Sequence, residues 1–191
     1  DLVCAVNGAK LFSKLDIKKA FHQLALAEES RFLTTITTHD GLYRYKRLHM
    51  GISCASEIFT ETIRRILEGI QGQINMTDDI LVFGETPSQH DERLHQTLKR
   101  LEDHGVTLNE KCEVYKTELI FFGLKFSANG IAPTADRCRA LKEASPPRDA
   151  SELRSLLGSA LFSARFIPDA ATITEPLWQL TKEKAKWQWG P

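Results

Sequence analysis

The sequence lacks the features that would assign it to a class at once: a charge surplus, long apolar runs and paired cysteines. Its 25 Lys and Arg residues balance its 25 Asp and Glu residues, so the formal net charge is zero. A stand-alone nucleic-acid-binding domain is usually basic, and this balance gives no support to that class. No apolar run approaches the roughly 20 residues of a membrane-spanning helix, and no signal peptide opens the chain.

The cysteines are few and far apart. Cys4, Cys54, Cys112 and Cys138 form no CxxC pair, which argues against a zinc site or a disulfide framework and favours a reducing intracellular setting. What the chain does have is an ordinary globular composition, with 42% apolar and 26% charged residues. Its 191 residues allow one large core or two modest ones.

Periodicity predicts a mixed strand-and-helix part followed by a helical part. The predicted strands cover residues 10–16, 32–38 with a return at 42–46, 74–83 as two short strands, and 119–126. The predicted helices cover residues 53–70, 88–105 with Ser88 as the cap, and the segment after Asp149, where Glu152 has the spacing of a capping box. Turns are predicted at residues 39–41 and 129–130. Pro146-Pro147 interrupts the pattern, so we place the main boundary there.

Three aspartates in apolar surroundings carry the chemistry of the sequence. Asp16 ends an apolar strand, and Asp78-Asp79 lies between two apolar segments. Neighbouring carboxylates repel each other, and burial makes their ionisation costly. A divalent cation removes both costs, because Mg²⁺ prefers oxygen ligands and retains substrate phosphates. Taken alone, the pair also suits an exposed hairpin turn, and Asp16 also suits a helix cap.

Several segments follow one another in a characteristic order. They are residues 12–23 (FSKLDIKKAFHQ), 41–48 (GLYRYKRL), 49–59 (HMGISCASEIF), 76–79 (MTDD), 121–124 (FFGL), 153–158 (LRSLLG), 165–167 (RFI), 175–177 (EPL) and 187–189 (WQW). Together they resemble the motifs of gypsy-type reverse transcriptases from the Pol polyproteins of LTR retrotransposons. Two departures stand out: Met76 replaces the usual aromatic residue of the Asp-Asp box, and residues 160–163 lack the adjacent tyrosines often found there.

The resemblance implies an α+β fold. A right-hand polymerase palm, built of antiparallel strands with helices, would be followed by a helical thumb or connection-like region. Residues 1–145 would form the palm with partial fingers and a primer-grip hairpin. Residues 146–191 would form the helical segment leading toward an RNase H-like domain that the chain lacks.

The activity implied is RNA-directed DNA polymerisation by two Mg²⁺ or Mn²⁺ ions. The partners implied are an RNA or DNA template with its primer, deoxynucleoside triphosphates, and the other Pol domains: fingers, RNase H, protease and integrase. The setting would be the cytoplasm or a virus-like particle, with no membrane partner. Since only about 15 residues precede Asp16, too few for the fingers strands that supply phosphate-clamping side chains, an inert retroelement remnant or a non-catalytic nucleic-acid-binding or structural subunit stays open as the alternative.

The resemblance also assigns the catalytic and metal-binding residues. Asp16 and Asp78 would bridge the metal ions, and Asp79 would be a supporting carboxylate. The backbone carbonyl of Ile17 would complete one metal shell. Phe122 and Gly123 would hold the primer terminus, while packing as a β-hairpin.

The nucleotide pocket implied by the resemblance contains six residues, of which Ile17 is one. Phe21 would exclude a ribose 2′ hydroxyl, and Lys111 would approach the triphosphate. Gly51 would allow close approach of its backbone to the nucleotide or template. Met50 would pack near the incoming nucleotide, and Gln23 would belong to the same pocket. From the residues alone, Phe21 and Met50 also suit a core, Gly51 an ordinary loop, and Lys111 a solvated surface.

Overall fold

The computed structural model describes residues 5–183 and 185–189, so Cys4 and Gly190-Pro191 lie outside the described residues. The chain divides into two compact units. The first comprises residues 1–121 and 126–130, and the second comprises residues 122–125 and 131–191. The predicted palm and thumb boundary at Pro146 is a functional division and stays a prediction. No helix in the described part of the chain is long and apolar enough to span a membrane.

A four-stranded antiparallel sheet forms the centre of the first unit. Its strands are β1 (Leu11–Asp16), β4 (Gln73–Met76), β5 (Asp79–Gly84) and β6 (Glu113–Lys116). Their order across the sheet is β4-β5-β1-β6, and each neighbouring pair is antiparallel. The two inner strands are the most apolar: Ile80, Leu81 and Val82 of β5 are fully buried. The predicted strand at residues 10–16 and the paired strands around Asp78-Asp79 are confirmed.

Two helices of the first unit pack against this sheet. They are α1 (Ala55–Ile66) and α2 (Pro87–Asp103). Phe59, Ile63 and Leu67, spaced by four residues, enter the same buried core as Leu15 and Ile80. The predicted cap of α2 is wrong, because the Thr86 side chain accepts the backbone N–H of Gln89 and Ser88 lies inside the helix. Pro87 explains the shift: its fixed φ suits the first helical position, so the cap must precede it.

A small hairpin extends from the first unit, with β2 (Ile36–Thr38) and β3 (Gly41–Tyr43) paired antiparallel. The turn predicted at residues 39–41 is confirmed, but the strand predicted over 32–38 is wrong in its first half. Glu28–Thr34 is a 3₁₀ helix. The hydroxyls of Thr34 and Thr35 donate to carbonyls three residues earlier. Phe32 and Leu33 remain exposed, so no buried face requires a strand there.

The strand predicted over residues 119–126 is two strands. β7 (Glu118–Phe121) and β8 (Leu124–Ser127) belong to a three-stranded sheet in the order β7-β8-β9, with β9 at Gly130–Pro133. The chain reverses at Phe122-Gly123, where φ is +52° and +72°. Two consecutive positive φ values are typical of the tight turn that joins hairpin strands. The apolar run hides this reversal because Phe122 is a residue that rarely adopts a positive φ.

Helices dominate the rest of the second unit, as predicted. They are α3 (Ala135–Lys142), α4 (Ala150–Ser163) and α5 (Ala170–Gln179). Asp149 caps α4, since its Oδ1 accepts the backbone N–H groups of Ser151 and Glu152, each at 2.8 Å. Glu152 reaches back as a capping box requires, but it accepts the N–H of Arg148, also at 2.8 Å, and not that of the cap residue.

Candidate active site

Strand pairing brings two of the predicted catalytic carboxylates together. Asp16 is the last residue of β1, Asp79 is the first residue of β5, and the two are direct partners in the antiparallel register. Directly opposed residues project from the same face of a sheet, with Cβ atoms about 4.5–5.5 Å apart. Asp16 therefore ends a strand and lies before a 3₁₀ helix whose cap position is Lys19, so its alternative role as a helix cap is excluded.

The third carboxylate, Asp78, lies in the turn between β4 and β5. Thr77 adopts a φ of +55° there, and the carbonyl of Asp78 accepts the backbone N–H of Ile17 at 2.8 Å. This bond continues the pairing of the two strands past Asp16 and attaches the turn to the chain that follows β1. The side chain of Asp78 is exposed. The hairpin-turn reading is thus correct for its position and compatible with a role in binding.

Asp16 is held by residues that follow α2. The Asn109 side-chain amide donates to Asp16 Oδ1, and Lys111 Nζ lies 3.0 Å from Oδ2. The backbone N–H of Asp16 donates to Cys112 Sγ at 3.3 Å. Partial burial opposes ionisation of Asp16, but the hydrogen bonds from Asn109 and Lys111 outweigh it and hold the pKa of this carboxyl below its usual value.

Asp79 lies in the opposite electrostatic environment. Burial raises the pKa of its carboxyl above the usual value; Lys14 partly counters this effect, and Asp78 and Asp16 add to it. Lys14 Nζ is 3.7 Å from Asp79 Oδ2. Asp79 Oδ1 is buried, and no group in residues 5–183 or 185–189 forms a hydrogen bond with it. A buried, unpartnered carboxylate oxygen is costly, and a cation at this position would remove the cost.

The residue types suit a divalent metal ion, but their side chains are not arranged as a metal-binding site. Asp16, Asp78 and Asp79 supply oxygen donors, the type that Mg²⁺ and Mn²⁺ prefer. Over residues 5–183 and 185–189, however, no group of three or more His, Cys, Asp or Glu side chains is arranged to hold a metal ion. Lys14 and Lys111 neutralise two of the carboxylates instead. A divalent cation held by Asp16 and Asp79 would compete with these lysine side chains for the carboxylates.

Ile17 follows the carboxylate strand and is buried. It forms an isolated antiparallel bridge with Leu108, whose two hydrogen bonds run from Asn109 N to Asp16 O and from Lys18 N to Thr107 O. These bonds use atoms of the neighbouring residues and not the carbonyl of Ile17. The predicted role of that carbonyl as a metal ligand stays a prediction.

Phe21 and Gln23 lie in the 3₁₀ helix Ala20–Gln23, which follows Asp16 closely in sequence. The Phe21 ring packs edge-on against Phe59 of α1, with centroids 5.5 Å apart, and is partly buried. Its alternative as a core aromatic is therefore correct in part. The Gln23 side chain pairs with the backbone of Thr107, donating to its carbonyl and accepting its N–H, both at 2.9 Å.

The other predicted nucleotide-pocket residues differ in exposure. Met50 is 69% exposed, which excludes its alternative as a core residue. Gly51 beside it has a φ of +97°, and a Cβ there would meet open space. Lys111 is exposed but ion-paired with Asp16, so it is more than a solvated loop lysine. In the second unit, Phe122 and Gly123 form the β7–β8 turn, and Gly123 lies next to Arg137.

An open groove in the first unit is lined by basic side chains. Lys18, Lys19, His22 and Arg47 contribute them, and Gln23 and Thr107 join its walls. The lining contains no carboxylate, so the groove is locally positive although the chain as a whole has no net charge. Such a surface favours phosphate groups.

Sequence reasoning selected Lys111, for contact with the triphosphate, but missed the other partners of the carboxylates. Lys14 was within reach of inference, because it lies two residues before Asp16 and so shares its face of the strand. Asn109 and Cys112 were not, since they are 93 and 96 residues away from Asp16 in sequence. No local pattern marks them.

Comparison with known proteins decides the family. Residues 1–126 match the family model described as reverse transcriptase (RNA-dependent DNA polymerase). The chain belongs to the reverse transcriptase family. Among curated relatives, the Transposon Tf2-3 and Tf2-4 polyproteins of Schizosaccharomyces pombe are each 28% identical over 193 residues. These matches cover 100% of this chain but only 14% of each polyprotein.

Solved structures of reverse transcriptases share this fold. A foamy viral protease-reverse transcriptase in complex with double-stranded DNA matches 95% of this chain and 32% of its own, with a TM-score of 0.85 and 27% identity. A foamy viral protease-reverse transcriptase in complex with an RNA/DNA hybrid matches 94% of this chain and 25% of its own, with a TM-score of 0.79 and 27% identity. The predicted α+β class, antiparallel sheets with helices, is confirmed.

Proposed function

We propose that this reverse transcriptase chain carries the polymerase centre of a gypsy-type retrotransposon Pol polyprotein and adds deoxynucleotides to a primer 3′ hydroxyl. The observation that carries the proposal is the register that places Asp16 opposite Asp79, beside the exposed Asp78. Transposon polyproteins that match along the whole chain support the retrotransposon origin. In this proposal, residues 1–145 are the palm with partial fingers, and residues 146–191 are the thumb or connection-like segment.

The carboxylates would hold two Mg²⁺ or Mn²⁺ ions, together with the carbonyl of Ile17. Bound there, the ions supply charge stabilisation for the attacking primer oxygen and the leaving pyrophosphate. Asp16 suits this role because its low pKa keeps it ionised and ready to bind a cation. Asp79 contributes a buried oxygen that no described group hydrogen-bonds. Lys111, displaced from Asp16, would then be free to contact substrate phosphate.

Phe21 would select deoxynucleotides by occupying the space that a ribose 2′ hydroxyl needs. Its contact with Phe59 supports this role, because a selecting side chain must be held in one rotamer by its neighbours. The exposed Met50 and the open backbone at Gly51 would face the incoming nucleotide or template base. Gln23 would act indirectly, by fixing the wall of the basic groove. Phe122 and Gly123 would form the primer grip.

The proposed partners are an RNA or DNA template with its primer and deoxynucleoside triphosphates. The similar foamy viral structures contain double-stranded DNA or an RNA/DNA hybrid, which supports the proposal of nucleic-acid partners. The basic groove offers a surface for phosphates. Since the chain spans 14% of the polyproteins it matches, we propose that fingers, RNase H, protease and integrase domains complete the machinery. Its place would be the cytoplasm or a virus-like particle.

One observation favours a second candidate, a non-catalytic nucleic-acid-binding or structural subunit. Lysines engage two of the three carboxylates, and the described side chains contain no ready-made metal cluster. A remnant that had lost metal binding would have the same appearance. The two candidates differ in whether the chain incorporates nucleotides.

Primer extension separates the two candidates. The chain, joined to the upstream fingers segment of its Pol polyprotein, is incubated with poly(rA)/oligo(dT), dTTP and Mg²⁺ or Mn²⁺. An Asp78→Asn variant and an Asp40→Asn control, in the turn of the β2–β3 hairpin, are tested beside it. We expect extension by the parent and the control, and a loss of at least about 100-fold in Asp78→Asn because a metal ligand is removed. Equal extension by all three contradicts the assignment of Asp78. No extension by a folded parent favours the non-catalytic subunit.

A further inference from the structure

Asn109 contacts Asp16 through both its backbone and its side chain. Its backbone N–H donates to the carbonyl of Asp16 at 2.8 Å, and its side-chain amide donates to Asp16 Oδ1. Cys112 completes the arrangement, since its Sγ accepts the N–H of Asp16 at 3.3 Å and donates to the carbonyl of Asn109 at 3.1 Å. One short segment after α2 thus fixes both the backbone and the carboxylate of Asp16.

The two side chains that touch the Asp16 carboxylate differ in kind. Asn109 is neutral and partly buried, and its own backbone is bonded to the residue it orients. Lys111 is a cation on a flexible stem, and its side chain is 73% exposed. Only the Asp16 end of this ion pair is largely buried, and holding the long Lys111 side chain in one geometry in water costs conformational entropy. A neutral amide, by contrast, does not compete with an arriving cation for the charge of the carboxylate.

We propose that Asn109 is a positioning residue that fixes Asp16 Oδ1, while Lys111 occupies Oδ2 only until a divalent cation replaces it. The inference rests on the proposed metal-dependent function and adds to it a division of labour at Asp16. A carboxylate has lone pairs enough to keep the Asn109 bond and still bind a metal through Oδ2. Hydrogen bonds that orient metal ligands commonly change metal affinity by about 10–100-fold.

The division of labour predicts effects of opposite sign for two neighbouring residues. Asn109→Ala removes the amide but keeps the backbone bond to Asp16, so the chain path is preserved and only carboxylate orientation is lost. Lys111→Met removes the competing charge and keeps a similar side-chain length. A purely structural role for this segment would weaken binding in both variants or in neither.

Binding of Mn²⁺, measured by electron paramagnetic resonance of the free ion, tests the proposal on the full chain. We expect Asn109→Ala to weaken binding about 10-fold and Lys111→Met to tighten it about 2- to 5-fold, as removal of a neighbouring positive charge should. Asn75→Ala is the matched control, because Asn75 also donates its side-chain amide, but to the backbone carbonyl of Thr60 (3.1 Å) and not to a carboxylate. Circular dichroism verifies that each variant folds.

The outcomes separate this inference from the function beneath it. An Asp79→Asn variant that loses Mn²⁺ affinity, beside an Asn109→Ala variant that binds like the parent, overturns the role of Asn109 and leaves the metal site standing. Unchanged or weaker binding by Lys111→Met overturns the role given to Lys111, and this exposed position allows that test even if Asn109→Ala does not fold. Absence of Mn²⁺ binding by the parent overturns the metal site and the inference together.

Discussion

At the residue scale, burial of the Asp79 carboxyl opposes its ionisation. Its carboxyl has a raised pKa, chiefly because of burial, so the folded chain holds the proton more tightly than the unfolded chain does. The favourable contribution of the protonated form is complete below the unfolded pKa and is lost as the pH rises through the folded pKa. Asp16 has a lowered pKa, so its contribution behaves in the opposite way and is lost as the pH falls.

Replacing Asp79 by Asn should therefore stabilise the metal-free chain at neutral pH. The neutral isostere avoids the cost of burying a charge beside Asp78 and Asp16, and we expect a gain of at most about 1 kcal/mol in the free energy of unfolding. Urea unfolding at pH 7 and pH 4 without divalent ions checks this, and the gain should shrink at the lower pH. A variant that is less stable at pH 7, or a gain that grows on acidification, would contradict the assignment.

The same residues show how far sequence reasoning reaches at this scale. Asp16, Asp78 and Asp79 could be selected from the sequence because carboxylates in apolar segments are costly and call for a reason. Their partners Asn109 and Cys112 could not be selected, because a loop amide and a lone thiol are unremarkable until folding brings them to Asp16. Met50 and Phe21 illustrate the intermediate case, in which burial had to be known before core packing could be accepted or excluded.

At the element scale, the contact between β5 and α2 depends on a small residue. Gly84 ends β5, and a Cβ added there would lie 2.7 Å from the backbone nitrogen of His90 and 2.8 Å from its Cα. His90 is fully buried on α2, and its Nε2 lies 2.9 Å from Ser13 Oγ on β1. The close packing of α2 against β5 and the buried contact between His90 and Ser13 therefore depend on each other.

Gly84→Ala should destabilise the first unit. The added methyl group meets backbone atoms that cannot move aside without breaking the His90–Ser13 contact, and overpacking of this kind costs about 1–3 kcal/mol. Gly158→Ala in α4 is the comparison, because a Cβ there meets nothing within 4 Å and removal of a helical glycine gains up to about 1 kcal/mol. Thermal unfolding measures both; a neutral Gly84→Ala would show that the packing is looser than described.

Elements were predictable where periodicity and turn chemistry agreed. The strand at β1, the paired strands at the acidic turn and the helix after Asp149 all have both signals. The errors came where a side chain took a backbone conformation that its type disfavours, as Phe122 does in the β7–β8 turn. They also came where an apolar segment stayed exposed, as at Phe32 and Leu33, since apolar content predicts a strand only if a face is to be buried.

At the scale of the whole molecule, remote segments meet at one place. Residue 16, the turn at 77–79 and the segment 109–112 are connected by the β1–β5 register and by the bonds around Asp16. Zero net charge gave no hint of this centre, because a sum over 25 acidic and 25 basic residues does not show where charges cluster. The order of motifs along the chain was the informative whole-molecule signal, and the match of residues 1–126 confirms the reverse transcriptase family that this order indicated.

The central claim is that these segments surround divalent cations, and iron-directed cleavage tests it most directly. Fe²⁺ replaces Mg²⁺ in the presence of a primer–template duplex, ascorbate generates hydroxyl radicals at the bound ion, and the fragments are mapped by mass spectrometry. The account predicts cuts near residue 16, near residues 77–79 and near residues 109–112, all suppressed by excess Mg²⁺ and lost in Asp16→Asn. Cuts elsewhere, or cuts at these positions that persist with excess Mg²⁺, would contradict it.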